Sequence, residues 1–194
     1  MIMKKSLKYL VWITLLILFG FLIRAFSVGN FEFVGYWIVL VALFLVVVKI
    51  SHKFKIPTWA ISLFSVWSVF HMAGGLTRIN GLRLYDYIFV NILGDPFFIL
   101  KFDQVIHAYC YFAISILVYF VLKNYFKKSE AALITFTILA TLGISLLNEV
   151  IEFGMVIFLG AADAVGGYYN TALDMVFNLI GAVIGPFVAK KFSK

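Results

Sequence analysis

The chain has 194 residues, of which 64% are hydrophobic and 13% are charged. Soluble domains have about 45–50% apolar and about 25% charged residues, so this composition excludes a soluble globule, a disordered tail and a nucleic-acid-binding module. The formal net charge is +7, and the single cysteine, Cys110, excludes an internal disulfide and a cysteine-based zinc site. We therefore expect one integral membrane domain over residues 1–194, with membrane lipid and not nucleic acid as its surroundings.

Six stretches are long and apolar enough to cross a bilayer, since a spanning helix needs about 20 mostly apolar residues. In chain order, the predicted spans cover about 7–25, 34–50, 59–76, 103–122, 131–152 and 171–189. Arg24 closes the first stretch without a small-residue cleavage site, so we interpret it as a retained anchor and not as a signal peptide. The sequence thus predicts an all-α, polytopic transmembrane bundle of about six spans.

The charged residues are sorted between the two ends of these spans. Twelve of the sixteen basic residues precede span one or follow spans two, four and six, whereas Glu130 is the one acidic residue of the nine on that side. Because lysine and arginine concentrate in cytoplasmic loops, we expect both termini to be cytoplasmic. The chain is then a multi-pass protein, and we expect it in the cell membrane.

The segment 77–102 lies between spans three and four and is apolar enough over 84–102 to suggest a seventh span. It contains Asp86, Asn91 and a Gly-Asp-Pro turn signal at 94–96. We interpret it as an external segment, interfacial or re-entrant. The alternative, a spanning segment, would place the lysines that follow span four outside.

Ionisable residues recur near the predicted outer end of four helices. They are His71 on span three, Asp103 and His107 on span four, Glu149 and Glu152 on span five, and Asp174 on span six. Ionisable side chains inside a membrane are costly and usually face the bundle interior or a watery cavity. Residues three or four apart share one helix face, so the pairs on spans four and five each point one way. We expect these side chains to share one outward-facing pocket built from spans three to six.

Two kinds of chemistry suit such a pocket. Carboxylates and imidazoles bind divalent metals, for which the candidates are His107, Glu149, Glu152 and Asp174. Crowded carboxylates also make an acid–base set, for which Asp103 is a further candidate catalytic residue. Side chains near these residues are candidates for ligand binding: His71, Arg78, Arg83, Asn148 and Asn178. Of these, the two arginines suit a lipid phosphate or a similar anion. The stretch 163–169 is predicted to be a flexible external loop over the site.

Glycines near the ends of two spans suggest close approach or opening of a helix. Gly181 and Gly185 form a small-residue pair that lets helices approach closely. Gly74 and Gly75 are predicted to open the end of span three and to expose its backbone groups.

The order of the polar motifs resembles a known family. His71-x-x-Gly-Gly, Asp103-x-x-x-His107, Glu149-x-x-Glu152 and Asn170-Thr-x-x-Asp174-Met are similar to the YjdF-like bacterial inner-membrane proteins over about residues 70–186. The last three motifs, with the small-residue ending of span six, also resemble the VanZ-like proteins. The resemblance implies a small multi-span protein, associated for VanZ-like members with glycopeptide-antibiotic resistance, and it implies no particular reaction. The chain departs from these patterns at Asn170, Gln104 and Ile106.

Three functions follow from this sequence. The first is an enzyme or a ligand-binding protein that acts on an envelope lipid or a lipid-linked precursor at the outer leaflet. The second is a non-catalytic structural or partner-binding membrane protein, and the third is a small proton-coupled transporter. The sequence leaves open whether the protein is an enzyme, and it leaves the oligomeric state open as well.

Overall fold

The computed structural model describes residues 4–160 and 167–193 of the chain. Within these residues, six α-helices are long and apolar enough to cross a membrane. They are α1 (Lys5–Ser27), α2 (Phe31–Phe54), α3 (Thr58–Leu76), α4 (Phe102–Leu122), α5 (Glu130–Leu159) and α6 (Tyr168–Phe192). The prediction of an all-α bundle with six candidate spans is therefore confirmed.

Local sequence signals explain where the helices begin and end. The side chain of Ser129 accepts a hydrogen bond from the backbone N–H of Ala132 at 3.2 Å, and this cap begins α5. The apolar sequence continues past Glu152 to Gly160, which ends α5 with a left-handed backbone (φ +67°). This helix is consequently longer than the predicted span 131–152.

The segment between α3 and α4 contains no helix of spanning length. It begins with a two-residue hairpin, in which β1 (Arg78–Ile79) pairs antiparallel with β2 (Leu82–Arg83) through an Asn80-Gly81 turn with positive φ at both turn residues. A single 3₁₀ turn follows at Leu84–Asp86. The prediction that 84–102 does not form a seventh spanning helix is confirmed, and its external location stays a prediction.

The chain forms two compact units, Met1–Tyr87 and Ile88–Lys194. In the first unit, α1, α2 and α3 pack together around buried apolar side chains: Leu18, Ala25, Phe33, Leu40, Met72 and Leu76. The indole N–H of Trp37 donates to the carbonyl of Leu18 at 2.7 Å, and the hydroxyls of Thr14 and Ser65 are hydrogen-bonded between α1 and α3. The expectation of one membrane domain over the whole chain stays a prediction.

The glycine pair at the end of α3 packs against aromatic rings. A Cβ atom on Gly74 would collide with the ring of Tyr85, and one on Gly75 would collide with the ring of Phe33. The helix continues through both residues to Leu76. The prediction that these glycines open the helix end was therefore wrong, because they make room for the two rings.

In the second unit, α4 and α6 run parallel in close contact. A Cβ atom on Gly181 would collide with the carbonyl of Ala108, and one on Gly185 would collide with the side chain of Ser115 and the carbonyl of Phe112, so backbones meet at both glycines. The predicted role of this small-residue pair is confirmed. The helix α5 runs antiparallel to α6, since Glu130 at its start is ion-paired with Lys190 near the end of α6.

Candidate functional site

The parallel packing of α4 and α6 places the polar residues near their N-terminal ends side by side. Asp103 and His107 are four residues apart on α4, and Asp174 and Asn178 are four residues apart on α6. The glycine contact lies just beyond them along both helices. The close approach of the backbones therefore brings the two polar pairs within reach of each other.

His107 lies between two carboxylates. Its Nε2 atom is 3.7 Å from Oδ1 of Asp103 and 4.0 Å from Oδ1 of Asp174. The side chain of Asp174 is 1% exposed, whereas those of His107 and Asp103 are 15% and 19% exposed. The site is therefore buried on the α6 side and partly open on the α4 side.

Asn170 connects the two carboxylates. Its side-chain Nδ2 donates to Oδ2 of Asp174 at 2.7 Å and to Oδ2 of Asp103 at 3.3 Å. With both Oδ2 atoms on this amide, the remaining Oδ1 atoms lie toward His107. Asn170 thus orients both carboxylates.

Asn178 connects this group to α5. Its Oδ1 is 3.0 Å from Nδ1 of His107, and its Nδ2 donates to Oγ of Ser145 at 2.8 Å and to Oε1 of Glu149 at 3.2 Å. The side chain of Asn178 is fully buried. Three helices therefore share one hydrogen-bonded network.

The two glutamates of α5 have different partners. Glu149 is buried and accepts from Asn178, and its Oε2 has no hydrogen-bond partner within the described residues. Glu152 accepts from Nδ2 of Asn148, one turn earlier, at 2.7 Å. Glu149 thus belongs to the network around His107, and Asn148 holds Glu152 from within the same helix.

Three side chains of the types that bind metal ions lie close together. One atom each of Asp103, His107 and Asp174 lies within 4.8 Å of the others. Two of the predicted metal candidates, His107 and Asp174, belong to this trio, and Asp103 completes it. A role for Glu149 or Glu152 as a metal ligand stays a prediction.

The other candidates for ligand binding lie in the first unit, where each has a local partner. The hydroxyl of Tyr85 is hydrogen-bonded to Nδ1 of His71 at 2.7 Å and donates to the carbonyl of the same residue at 2.9 Å. Arg78 donates to the carbonyl of Gly81 at 2.9 Å. A role for His71 and Arg78 in ligand binding stays a prediction.

Arg83, also in the first unit, forms a two-pronged pair with Asp86. Its Nε donates to Oδ2 at 2.7 Å, and its Nη2 donates to Oδ1 at 3.2 Å. This bond ties the guanidinium to the loop that carries it. Binding of a lipid phosphate by Arg83 stays a prediction. The predicted external loop 163–169 falls largely outside the described residues.

Two polar residues of the second unit were not among the candidate site residues. Asn170 stands four residues before Asp174, and this spacing was the available signal for a shared face. Gln104 is fully buried at the start of α4, where its Oε1 accepts from the backbone N–H of Lys101 at 3.0 Å. Its Nε2 has no hydrogen-bond partner within the described residues.

Two threonines of α5 lie between the network and the start of the helix, and their hydroxyls bond within α5 itself. The hydroxyl of Thr141 donates to the carbonyl of Thr137, and that of Thr137 donates to the carbonyl of Leu133. In contrast, Ser145 accepts from Asn178 on α6. Within the described residues, the hydrogen bonds that join α5 to Asn178 therefore reach Ser145 and do not include the two threonines.

Comparison with known proteins identifies a family. The model of the family described as "Predicted membrane protein (DUF2238)", which is the YjdF family, matches residues 7–192. No curated protein and no solved structure matches the chain. The match supports the YjdF-like resemblance, whereas the VanZ-like resemblance stays a prediction. The chain therefore belongs to this family of multi-helix membrane proteins.

Proposed function

We propose that the network around His107 is a ligand site, and that it binds the head group of an envelope lipid or a lipid-linked precursor at the outer leaflet of the cell membrane. The observation that carries this proposal is the position of His107 between Asp103 and Asp174, at the partly open end of α4 and α6. A charged group inside a membrane protein is costly and usually serves a function.

The depth of the network supports a head-group ligand. Lys123 and Lys190 mark the opposite end of the same helices, where Lys123 donates to the carbonyl of Ser193 at 2.7 Å. Asp103 and Lys123 are twenty residues apart, which is about 30 Å along a helix and equals the thickness of the hydrocarbon core. With the basic end in the cytoplasm, Asp103 lies at the outer edge of the hydrocarbon core. His107 is four residues further along α4, about 6 Å inside that edge and within reach of a head group.

A structural role alone explains the network less well. Interhelical hydrogen bonds in membranes contribute only about 0.6 kcal/mol each on average, and polar residues without charge supply them. Here three carboxylates and a histidine are gathered at one place, and oxygen atoms of Glu149 and Asp174 have no hydrogen-bond partner within residues 4–160 and 167–193. Such an arrangement favours a bound ligand over packing.

The transporter alternative needs a polar route to the cytoplasmic end. Thr141 and Thr137 lie on that side of the network, but their hydroxyls donate to carbonyls of α5 itself. These two hydroxyls are therefore used inside one helix, which favours a site that opens to one leaflet.

A mass analysis of bound lipid tests the proposal. The full chain is purified from bacterial membranes in a mild detergent, and the lipid that remains bound is identified for the parent, for His107→Ala and for His52→Ala. His52 lies on α2 in the first unit and serves as the matched control. We expect one enriched lipid class in the parent and the control, and its loss in His107→Ala. Equal lipid profiles in all three proteins would refute the proposal, and a monodisperse size-exclusion profile checks that each variant is folded.

A further inference from the structure

The hydrogen bonds of Asn178 indicate that Nδ1 of His107 carries a proton. A carboxylate oxygen accepts, so the group of Asn178 that faces Glu149 is the NH₂ group, and its carbonyl oxygen faces His107. Nδ1 of His107 therefore donates to Asn178, and Nε2 points at the two aspartates. Histidines that bind metals are held in this way, with one ring nitrogen donating to a neighbour and the other facing the ion.

Asp174 supplies a second and independent observation. Its side chain is 1% exposed, and its Oδ1 atom has no hydrogen-bond partner within the described residues. This oxygen lies 4.0 Å from Nε2 of His107, which is beyond the range of about 2.7–3.2 Å for a hydrogen bond. Burying a carboxylate oxygen without a partner is costly, so the atom lacks a ligand that would satisfy it.

The spacing between the three side chains matches ligands around one metal ion. Zinc binds histidine nitrogen and carboxylate oxygen at about 2.0–2.2 Å, so two such ligands at a tetrahedral or trigonal angle lie about 3.4–3.6 Å apart. The distances from Nε2 of His107 are 3.7 Å to Asp103 and 4.0 Å to Asp174. All three ligand atoms lie within 4.8 Å of one another, so side-chain movements of up to about 1 Å would bring them onto one ion.

We propose that Asp103, His107 and Asp174 bind one divalent transition-metal ion, with zinc as the preferred ion. Imidazole together with carboxylates favours zinc and its neighbours, whereas calcium and magnesium prefer oxygen ligands alone. Asn170 and Asn178 are positioning residues, since one holds the two carboxylates and the other holds the imidazole. Three protein ligands leave the fourth position of the ion open on the partly exposed side of Asp103.

The ion also explains how an acidic site receives an anionic lipid head group. This explanation rests on the proposed lipid-binding function. Two ionised aspartates would repel a phosphate, but a divalent cation between them neutralises their charge. A phosphate oxygen can then occupy the open position as a fourth ligand. The site thereby recognises a phosphate-bearing lipid through the metal.

Zinc binding to the purified full chain tests the metal site. The protein in mild detergent is stripped of metal with a chelator, titrated with zinc chloride, desalted and measured by elemental analysis. The variants are Asp174→Asn, Asp103→Asn and, as the matched control, Asp95→Asn in the exposed part of the segment between α3 and α4. Each substitution removes one carboxylate and keeps the shape of the side chain.

We expect one zinc ion per chain in the parent and in Asp95→Asn. Zinc affinity should fall at least about tenfold in both Asp103→Asn and Asp174→Asn, because each loses an anionic ligand. Asp103 is partly exposed, so its variant tests the site even where the change at buried Asp174 impairs folding. Circular dichroism and size-exclusion chromatography show which variants are folded.

Three results would overturn the metal site. The first is a parent protein that holds no more zinc than a detergent blank. The second is a folded Asp103→Asn variant that binds zinc as tightly as the parent. The third is a site that magnesium or calcium saturates in place of zinc. The two proposals fail separately. Zinc binding with unchanged lipid profiles would refute the lipid function alone, and lipid loss in His107→Ala without any zinc binding would refute the metal alone.

Discussion

Asn178 is the side chain on which the network depends most. It is fully buried, and its amide group joins His107 of α4 to Ser145 and Glu149 of α5. Without this amide, Nδ1 of His107 and Oε1 of Glu149 would each lose a hydrogen bond. A single uncharged residue thus holds the three helices in register at the site.

Replacing this amide should destabilise the protein. Asn178→Ala removes three hydrogen bonds between helices, and at about 0.6 kcal/mol each we expect a loss of about 2 kcal/mol in the free energy of unfolding. The measurement is reversible unfolding of the purified protein in mixed detergent micelles.

The matched control is Asn91→Ala, in the segment before α4, where the side chain is exposed and accepts a single local hydrogen bond from the backbone N–H of Gly94. A substitution at an exposed position usually changes stability by no more than about 0.5 kcal/mol. A loss of stability in Asn178→Ala no larger than in this control would contradict the central role of Asn178.

The contact between α4 and α6 positions the site. Gly181 and Gly185 of α6 leave room for backbone atoms of α4, and no other residue has a side chain small enough for this approach. The polar pairs of both helices lie one to two turns before the glycines. Separating the helices would therefore move Asp174 away from His107.

A methyl group at the contact should separate the helices. In Gly181→Ala, the new Cβ atom would collide with the backbone carbonyl of Ala108, and a backbone atom cannot move aside as a flexible side chain can. Overpacking of this kind costs about 1–3 kcal/mol, so we expect a loss of that size in the free energy of unfolding, together with weaker zinc binding.

Gly143→Ala provides the control for the same chemical change. Gly143 lies on α5 and has no atom within 4 Å of a Cβ position, so alanine should fit and should stabilise the helix by up to about 1 kcal/mol. The prediction fails if Gly181→Ala is as stable as Gly143→Ala.

The sorting of charge predicts the orientation of the whole molecule in the membrane. The ion pair of Lys190 with Glu130 and the bond from Lys123 to Ser193 lie at one end of α4, α5 and α6, and the network around His107 lies toward the other end. Both basic residues belong to the predicted cytoplasmic side. The charge pattern and the packing of the second unit therefore agree on which ends of the helices belong together.

Reporter fusions test this orientation. Fusions at Lys53 and Lys127 should report the cytoplasm, and a fusion at Gly81 in the turn of the hairpin should report the exterior, because lysine-rich loops stay inside. Each site is fused to two enzyme reporters in turn, one active only in the cytoplasm and one active only outside. The ratio of the two enzyme activities gives the location of the fusion site. An external signal at Lys127 would reverse the predicted topology of α4 and place the network at the inner leaflet.

The sequence by itself determined the class of the protein, the number of spanning helices and the position of each polar residue along its helix. Composition predicted a membrane protein, hydropathy predicted six helices, and the 3.6-residue period predicted that Asp103 and His107 share a face, as Asp174 and Asn178 do. The close approach at Gly181 was also predictable, because small residues at a spacing of four indicate a helix contact. These properties depend on the order of residues along one helix.

Only the tertiary structure decided which polar side chains meet. Glu149 joined the network through Asn178 while Glu152 bonded to Asn148, and Asn170 came to bridge two aspartates. Periodicity gives the face of a residue on its own helix, but it gives neither the rotation of that helix against its neighbours nor the rotamer of each side chain. Both are set by packing between helices, which is why the meeting of Asp103 with His107 and Asp174, and the amides that orient them, emerged only from the fold.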